Sequence, residues 1–140
     1  MNYQMIWTGH TRTVATTADL AATLEEITIQ TSTGLPMAVT VLPAGHEHLT
    51  PYDDDFPDCL EVGLGHPERA FVRWMGHDGG YGYQPDLPPG PAGLRFDYGG
   101  QPIHPEPHEL RVSPPAARHA VEEFITTGQR PTHLLWQPAQ

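Results

Sequence analysis

The sequence predicts a single α+β domain, residues 1–140, in which two helices pack on a mainly antiparallel sheet. Three observations support this fold class. Several segments alternate apolar and polar residues, as half-buried strands do. Two other segments repeat apolar residues at helical spacing. The 14 glycines and 16 prolines supply the many turns that short neighbouring strands need.

The first part of the chain is predicted to form a strand, a helix and a second strand. NYQMIWT alternates apolar and polar side chains, which indicates a half-buried strand. TTADLAATLEEIT repeats apolar residues at i, i+4 and i+7 from Leu20, and Thr16 or Thr17 can cap the start of this helix. LPMAVTVLP is typical of a short buried strand.

The middle of the chain is predicted to contain short strands separated by irregular segments. CLEVGLG and RAFVRWMG are both strand-like, and HPE between them can turn a hairpin. GHDGGYGY adds a turn and a short strand, and LRFDYGG alternates again. Irregular structure is expected where turn formers or prolines are frequent, in AGHEHLTPYDDDFPD, PDLPPGPAG and QPIHPEPHEL.

The last segment carries the clearest helix and strand signals. Ser113 can cap a helix that starts at Pro114, and apolar side chains recur at helical spacing as far as Phe124. Gly128 suits the left-handed residue that follows a helix, and Pro131 prevents the helix from resuming. THLLW is then the last strand. The predicted order is β-α-β-β-β-(β)-β-α-β, which favours the α+β class.

The charge balance is acidic and restricts the possible partners. Seven Lys and Arg against 17 Asp and Glu give a net charge of −10. A surface of this sign repels phosphate, so we expect no direct binding to nucleic acid or to an anionic membrane. It attracts a basic protein instead, and can speed association with it roughly 10- to 1,000-fold at low salt.

The sequence also argues against secretion and membrane insertion. Cys59 is the only cysteine, so the chain has no internal disulfide and no cysteine-based zinc site, which fits a reducing compartment. MNYQMIWTGH lacks the basic region and apolar run of a secretory signal. No stretch approaches the roughly 18 apolar residues that span a bilayer. We therefore expect a cytoplasmic protein.

Two pairs of histidines are the candidate metal ligands. His46 and His48 flank Glu47, and His104 and His108 flank Glu106. On a strand, His-x-His puts both imidazoles on one face, where a divalent metal can bind. These residues leave open a small metal-dependent enzyme centred on His46 and His48. The alternative is that they are surface loop histidines, because the metal-binding pattern of cupins is incomplete here.

No other pattern of catalysis or cofactor binding is present. The chain has no Gly-x-Ser-x-Gly elbow and no Gly-x-x-x-x-Gly-Lys-Ser/Thr phosphate loop. GHDGGYG is rich in glycine but does not open a helix, which argues against a dinucleotide site. We therefore expect no enzymatic activity, no cofactor and no metal site.

The most distinctive charged run is YDDDFPD. Asp53, Asp54 and Asp55 repel one another, and Tyr52 and Phe56 flank them. Carboxylates on a loop can imitate the phosphates that a cationic groove normally binds, and aromatic residues are favoured interface anchors. The alternatives are a solvated loop and a calcium site, although the spacing is not that of an EF-hand.

The C-terminal stretch SPPAARHAVEEFITTGQRPTHLLWQP resembles the signature of the first-numbered immunity-protein family of bacterial polymorphic toxin systems. The upstream segments AFVRWMGHDGGYGY and LRFDYGGQPIHPEP are similar to that family's preceding strands and loops. The first half of the chain resembles the family only in the order of its elements. The residues that match the signature are Ala120, Glu123, Phe124, Thr127, Gly128, Arg130, Pro131, Trp136 and Gln137.

This resemblance implies an α+β fold without catalysis. It implies a cytoplasmic protein that binds and neutralises a cognate toxin domain, often a nucleic-acid deaminase. Such toxins handle nucleic acid, so their active-site grooves should be basic and complementary to an acidic inhibitor. Our hypothesis is that the chain blocks that groove, with the toxin-binding residues Tyr52, Asp53, Asp54, Asp55 and Phe56.

Overall fold

The computed structural model describes residues 2–46, 48–50, 52–76 and 79–138. The strands are β1 (Tyr3–Trp7), β2 (His10–Val14), β3 (Met37–Pro43), β4 (Leu60–Leu64), β5 (Phe71–Trp74), β6 (Gly80–Tyr83), β7 (Phe96–Tyr98), β8 (Gln101–Ile103) and β9 (Leu135–Pro138). The helices are α1 (Thr17–Ser32) and α2 (Pro114–Thr127), with a one-turn 3-10 helix at Pro107–Glu109.

Seven of the strands lie side by side in the order β2-β1-β3-β4-β5-β6-β9, and every neighbouring pair is antiparallel. β7 adds to β3 through a single parallel pairing, Met37 with Asp97, and β8 pairs antiparallel with β7. The predicted α+β class, with two helices and a mainly antiparallel sheet, is confirmed.

Both helices begin at the side chains that the sequence indicates. The Thr16 hydroxyl accepts from the Asp19 N–H at 3.0 Å, and the Asp19 carboxylate accepts from the Thr16 N–H at 3.1 Å. This reciprocal capping box satisfies two backbone donors of the first turn. Ser113 accepts from the Ala116 N–H at 3.3 Å, with Pro114 as the first residue of α2.

The two helices cover the same face of the sheet. Because side chains alternate along a strand, Leu60, Val62 and Leu64 of β4 face the helices and enter the main core. Phe124 of α2 lies in this core, with its ring edge-on to Trp74 of β5. A smaller cluster on the opposite face joins Ala38, Phe71, Phe96 and Leu110.

Two strands were not predicted, and one boundary was wrong. β2 was missed because its residues at the sheet edge are mostly polar. QPIHPEPHEL was expected to be irregular, but Gln101–Ile103 pairs with β7 and Pro107–Glu109 forms the 3-10 helix. The last strand begins at Leu135 and not at Thr132, because Thr132 is held by a side chain of α2.

Gly128 ends α2 in the left-handed conformation, as predicted, with φ of 70° and its N–H donating to the Phe124 carbonyl at 2.7 Å. We expect Gly128→Ala to lower the free energy of unfolding by about 1 to 2 kcal/mol, because this backbone is strained for L-residues. The matched control is Gly34→Ala, at a glycine outside the left-handed region, which should be neutral. Equal shifts of the two urea midpoints would contradict the prediction.

Candidate functional site

The face of the sheet that the helices leave uncovered carries a row of polar side chains. Glu61 of β4 is paired in register with Arg73 of β5, and Arg73 is paired with Tyr81 of β6. Gln137 of β9 continues the row beside Tyr81. Residues paired in this way point to the same face, so one charged and polar stripe crosses four strands.

Two adjoining cavities lie over this stripe, and we call them together the open-face groove. They have volumes of about 340 and 500 Å³ and share Arg73, Tyr81 and Glu109 in their linings. The smaller cavity is walled by residues that follow β7, and the larger by the β5–β6 turn and the end of β9. The walls of the groove also include Tyr98, His104, Glu106 and His108.

Glu61 is the unusual residue of the open-face groove. It is only 4% exposed although it lines the smaller cavity. Its carboxylate lies 4.0 Å from the Arg73 guanidinium, a long ion pair whose arginine is 45% exposed. Burial raises the pKa of Glu61, and the charge of Arg73 offsets part of that rise. Within the described part of the chain, no side chain or backbone group donates a hydrogen bond to this carboxylate.

The wall of the groove is held in place by contacts with the sheet. Burial raises the pKa of Tyr81, and the nearby negative charge of Glu109 raises it further. The Gln137 amide donates to the His108 carbonyl at 2.8 Å. This hydrogen bond joins the 3-10 helix to β9, and the lining residues Glu61, Glu106 and Glu109 give the groove an acidic character.

The acidic loop, residues 52–56, lies within the connection between β3 and β4. Tyr52 is 96% exposed and Asp54 and Asp55 are also exposed, whereas Phe56 is half-buried. Asp53 has a local role, because its carboxylate accepts from the Thr50 N–H at 2.7 Å and from the Thr50 hydroxyl at 3.1 Å. The loop therefore presents three exposed carboxylates, of which that of Asp53 is hydrogen bonded to Thr50, beside one exposed aromatic ring.

The acidic loop and the open-face groove occur at the same end of the sheet. The segment that follows the loop brings the Asp58 side chain against Gly76, where a Cβ atom would collide with it. Gly76 in turn lines the larger cavity. One partner surface can therefore contact the groove and approach the loop.

Among the described residues, the four candidate metal-ligating histidines form no group of three potential ligands. His46 is half-buried with Nδ1 3.3 Å from the Pro43 carbonyl, and His48 is exposed. His104 and His108 line the groove. Among the described residues, which exclude Glu47, the only group of three potential ligands is His119, Glu123 and His133.

Cys59, the single cysteine of the chain, is buried. Burial, together with the negative charges of Glu61 and Asp58, raises the pKa of Cys59 to about 12, while Arg73 acts in the opposite direction. The thiol is therefore protonated at neutral pH, and it is a poor nucleophile and metal ligand.

The residues of the C-terminal signature form a structural unit. The Glu123 carboxylate accepts from the Thr132 N–H at 2.7 Å, which closes the turn after α2. The Trp136 indole donates to the Pro131 carbonyl at 3.0 Å, and the Arg130 guanidinium lies 5.2 Å from the Trp136 ring centroid. The residues of the signature thus stabilise the turn that connects α2 to β9.

A comparison with protein-family models completes the assignment of this fold. The model described as Immunity protein Imm1 matches residues 8–138. The chain belongs to the Imm1 family of immunity proteins. Comparisons with curated proteins and with solved structures found no match for this Imm1 protein. In its described part, no helix is long and apolar enough to cross a membrane.

The sequence did not reveal the open-face groove of this Imm1 protein. Glu61 alternates with Leu60 and Val62, which predicts only that its side chain faces away from the helices. The groove beside Glu61 also requires Tyr98 and Glu109, which are distant from Glu61 in sequence. The one available signal was a glutamate inside an otherwise apolar strand.

Proposed function

We propose that this Imm1 protein neutralises a cognate toxin by binding the toxin domain and blocking its substrate groove. We further propose that the toxin acts on nucleic acid, as a deaminase does. The observation that carries the proposal is Glu61, a buried carboxylate in a preformed groove whose only described ion pair is long. A lysine or arginine of the partner fits that position, because a buried charge is stabilised by a close, hydrogen-bonded counter-charge.

The composition of the groove supports a protein partner. Tyr81 and Tyr98 line it beside Glu61 and Glu109. Tyrosine is favoured at the centre of interfaces because it buries a large ring and still offers a hydroxyl. A basic side chain from the rim of the toxin groove would lie between these rings and reach the carboxylates. The acidic loop would then cover the phosphate-binding part of the toxin.

The first test is co-expression with a candidate toxin domain taken from a reading frame next to the gene of this protein. This protein is expected to restore growth of the cells that make the toxin and to co-purify with it as a stoichiometric complex. Cytosine or adenine deamination of DNA and RNA by the purified domain identifies its chemistry. A toxin that stays fully active in the presence of excess protein would refute the proposal.

The acidic loop is expected to act on the association rate. Reversing two exposed charges, Asp54→Lys with Asp55→Lys, should slow association with the toxin roughly 10- to 1,000-fold at low salt and much less at high salt. Asp53 is left in place because it holds the turn. Stopped-flow or surface-based kinetics measure the rate at two salt concentrations.

The matched control reverses two exposed charges on the helices, Glu25→Lys with Glu122→Lys. It produces the same change in net charge on the side of the molecule opposite the groove. An equal loss of association rate in both variants would show that only net charge matters, and it would remove the acidic loop from the interface.

A further inference from the structure

A cluster of three potential metal ligands lies at the junction of α2 and the turn into β9. His119 and Glu123 are one helical turn apart, and His133 follows the turn. Their ligand atoms lie within 4.8 Å of one another. The rings of His119 and His133 are stacked with centroids 4.1 Å apart. The His119 side chain is exposed to solvent.

Hydrogen bonds on the outer side of the cluster fix the orientation of two of these ligands. Glu123 Oε2 accepts from the Thr132 N–H at 2.7 Å and from the Thr132 hydroxyl at 2.8 Å. His133 Nε2 lies 3.1 Å from the Ala116 carbonyl oxygen. Since a carbonyl only accepts, Nε2 carries a proton in this arrangement. A histidine that binds a metal through one ring nitrogen usually donates its other ring N–H to a group such as a backbone carbonyl.

The inner atoms of the same two side chains face each other. Glu123 Oε1 and His133 Nδ1 are 3.0 Å apart. With the proton on Nε2, the Nδ1 of a neutral ring presents a lone pair to a carboxylate oxygen, which is repulsive. A cation placed between these two atoms would be bound by both of them.

We propose that a divalent transition-metal ion of the zinc, nickel or copper type binds at this position. Its ligands are His133 Nδ1, Glu123 Oε1 and a ring nitrogen of His119, a set that suits such ions. Two ligands about 2.1 Å from one metal ion are separated by roughly 3.0 to 3.4 Å, which the Glu123–His133 pair already satisfies. To complete this set of ligands, only the His119 ring has to rotate away from its stacked position on the His133 ring.

The bound metal links α2 to the start of the last strand. β9 carries Gln137, which lines the open-face groove, so the ion would hold one edge of that groove against the helix layer. The site is separate from the loop histidines His46 and His48. It departs from the expectation, drawn from the sequence, that the chain binds no metal.

The experiment is calorimetric titration of the tag-free full chain with Zn²⁺ and, separately, Ni²⁺ near pH 7.5, without any toxin. We expect one ion per chain and a higher thermal midpoint in the presence of the ion, because a ligand that binds only the folded state stabilises it. His119→Ala should weaken binding by at least about tenfold without unfolding the protein, since the side chain is exposed.

The matched control is His48→Ala, at another exposed histidine, which should leave binding unchanged. His133→Ala is a second ligand variant, and circular dichroism checks that it folds. Absence of binding, several weak sites, or equal affinity in His119→Ala and the wild type would overturn the proposal. Because no toxin is present, these results are independent of the proposed function.

Discussion

Replacing Phe124 by alanine is expected to remove about 3 to 5 kcal/mol from the free energy of unfolding. Phe124 is 1% exposed and lies at the centre of the main core. Its ring meets Tyr3 and Trp74 edge-on, with centroids 5.4 Å apart in both pairs. The variant loses these aromatic contacts and leaves a cavity between α2 and the sheet. Domains of this size are typically stable by about 5 to 15 kcal/mol, so much of the stability would be lost.

Urea unfolding followed by tryptophan fluorescence measures the change. The matched control is Phe56→Ala, which truncates the same side chain where it is half-buried in the acidic loop, and its midpoint should move far less. If the two variants unfold at the same urea concentration, Phe124 does not have the central packing role that its burial indicates.

The parts of the fold that the sequence predicted are those whose physical causes are local. The start of α1 depends on Thr16 and Asp19, three residues apart, and the end of α2 on Gly128. β2 and β8 are different, because each becomes a strand by pairing with a neighbour and not through an apolar pattern of its own. Such pairing is tertiary information, which a single sequence does not display.

The same distinction separates the two candidate sites. The acidic loop is contiguous, so its composition could be noticed directly in YDDDFPD. The open-face groove and the His119–Glu123–His133 cluster each combine distant segments. In the cluster, the spacing of His119 and Glu123 on a predicted helix was visible, but the approach of His133 follows from the turn that Glu123 itself closes. Short histidine spacings in loops were therefore a poor guide to which ligands meet.

Glu61→Gln is expected to stabilise the free protein while it weakens toxin binding. Burial raises the pKa of Glu61, so the folded state binds its proton more tightly than the unfolded chain does. The resulting stability is fully present below the ordinary glutamate pKa, about 4.3, and is lost as pH rises through the folded-state value. Glutamine does not titrate, so the difference in unfolding free energy between variant and wild type should grow from pH 4 to pH 7.

The expected effect of Glu61→Gln on toxin binding is unfavourable, in contrast to its effect on stability, and this expectation rests on the proposed function. If a toxin lysine or arginine pairs with Glu61, removing the carboxylate leaves that cation buried without a partner, which typically costs about 2 to 5 kcal/mol. The dissociation constant should therefore rise by roughly 30- to 5,000-fold, mostly through faster dissociation. Titration of the purified complex at neutral pH measures it.

Glu122→Gln is the matched control for this change, because it removes an exposed carboxylate from the helix side of the molecule. It should affect neither stability nor toxin binding appreciably. A Glu61→Gln variant that is more stable yet binds as tightly as the wild type would confirm the buried charge and exclude the groove from the interface. The two measurements together thus separate the electrostatics of the free protein from the mode of inhibition.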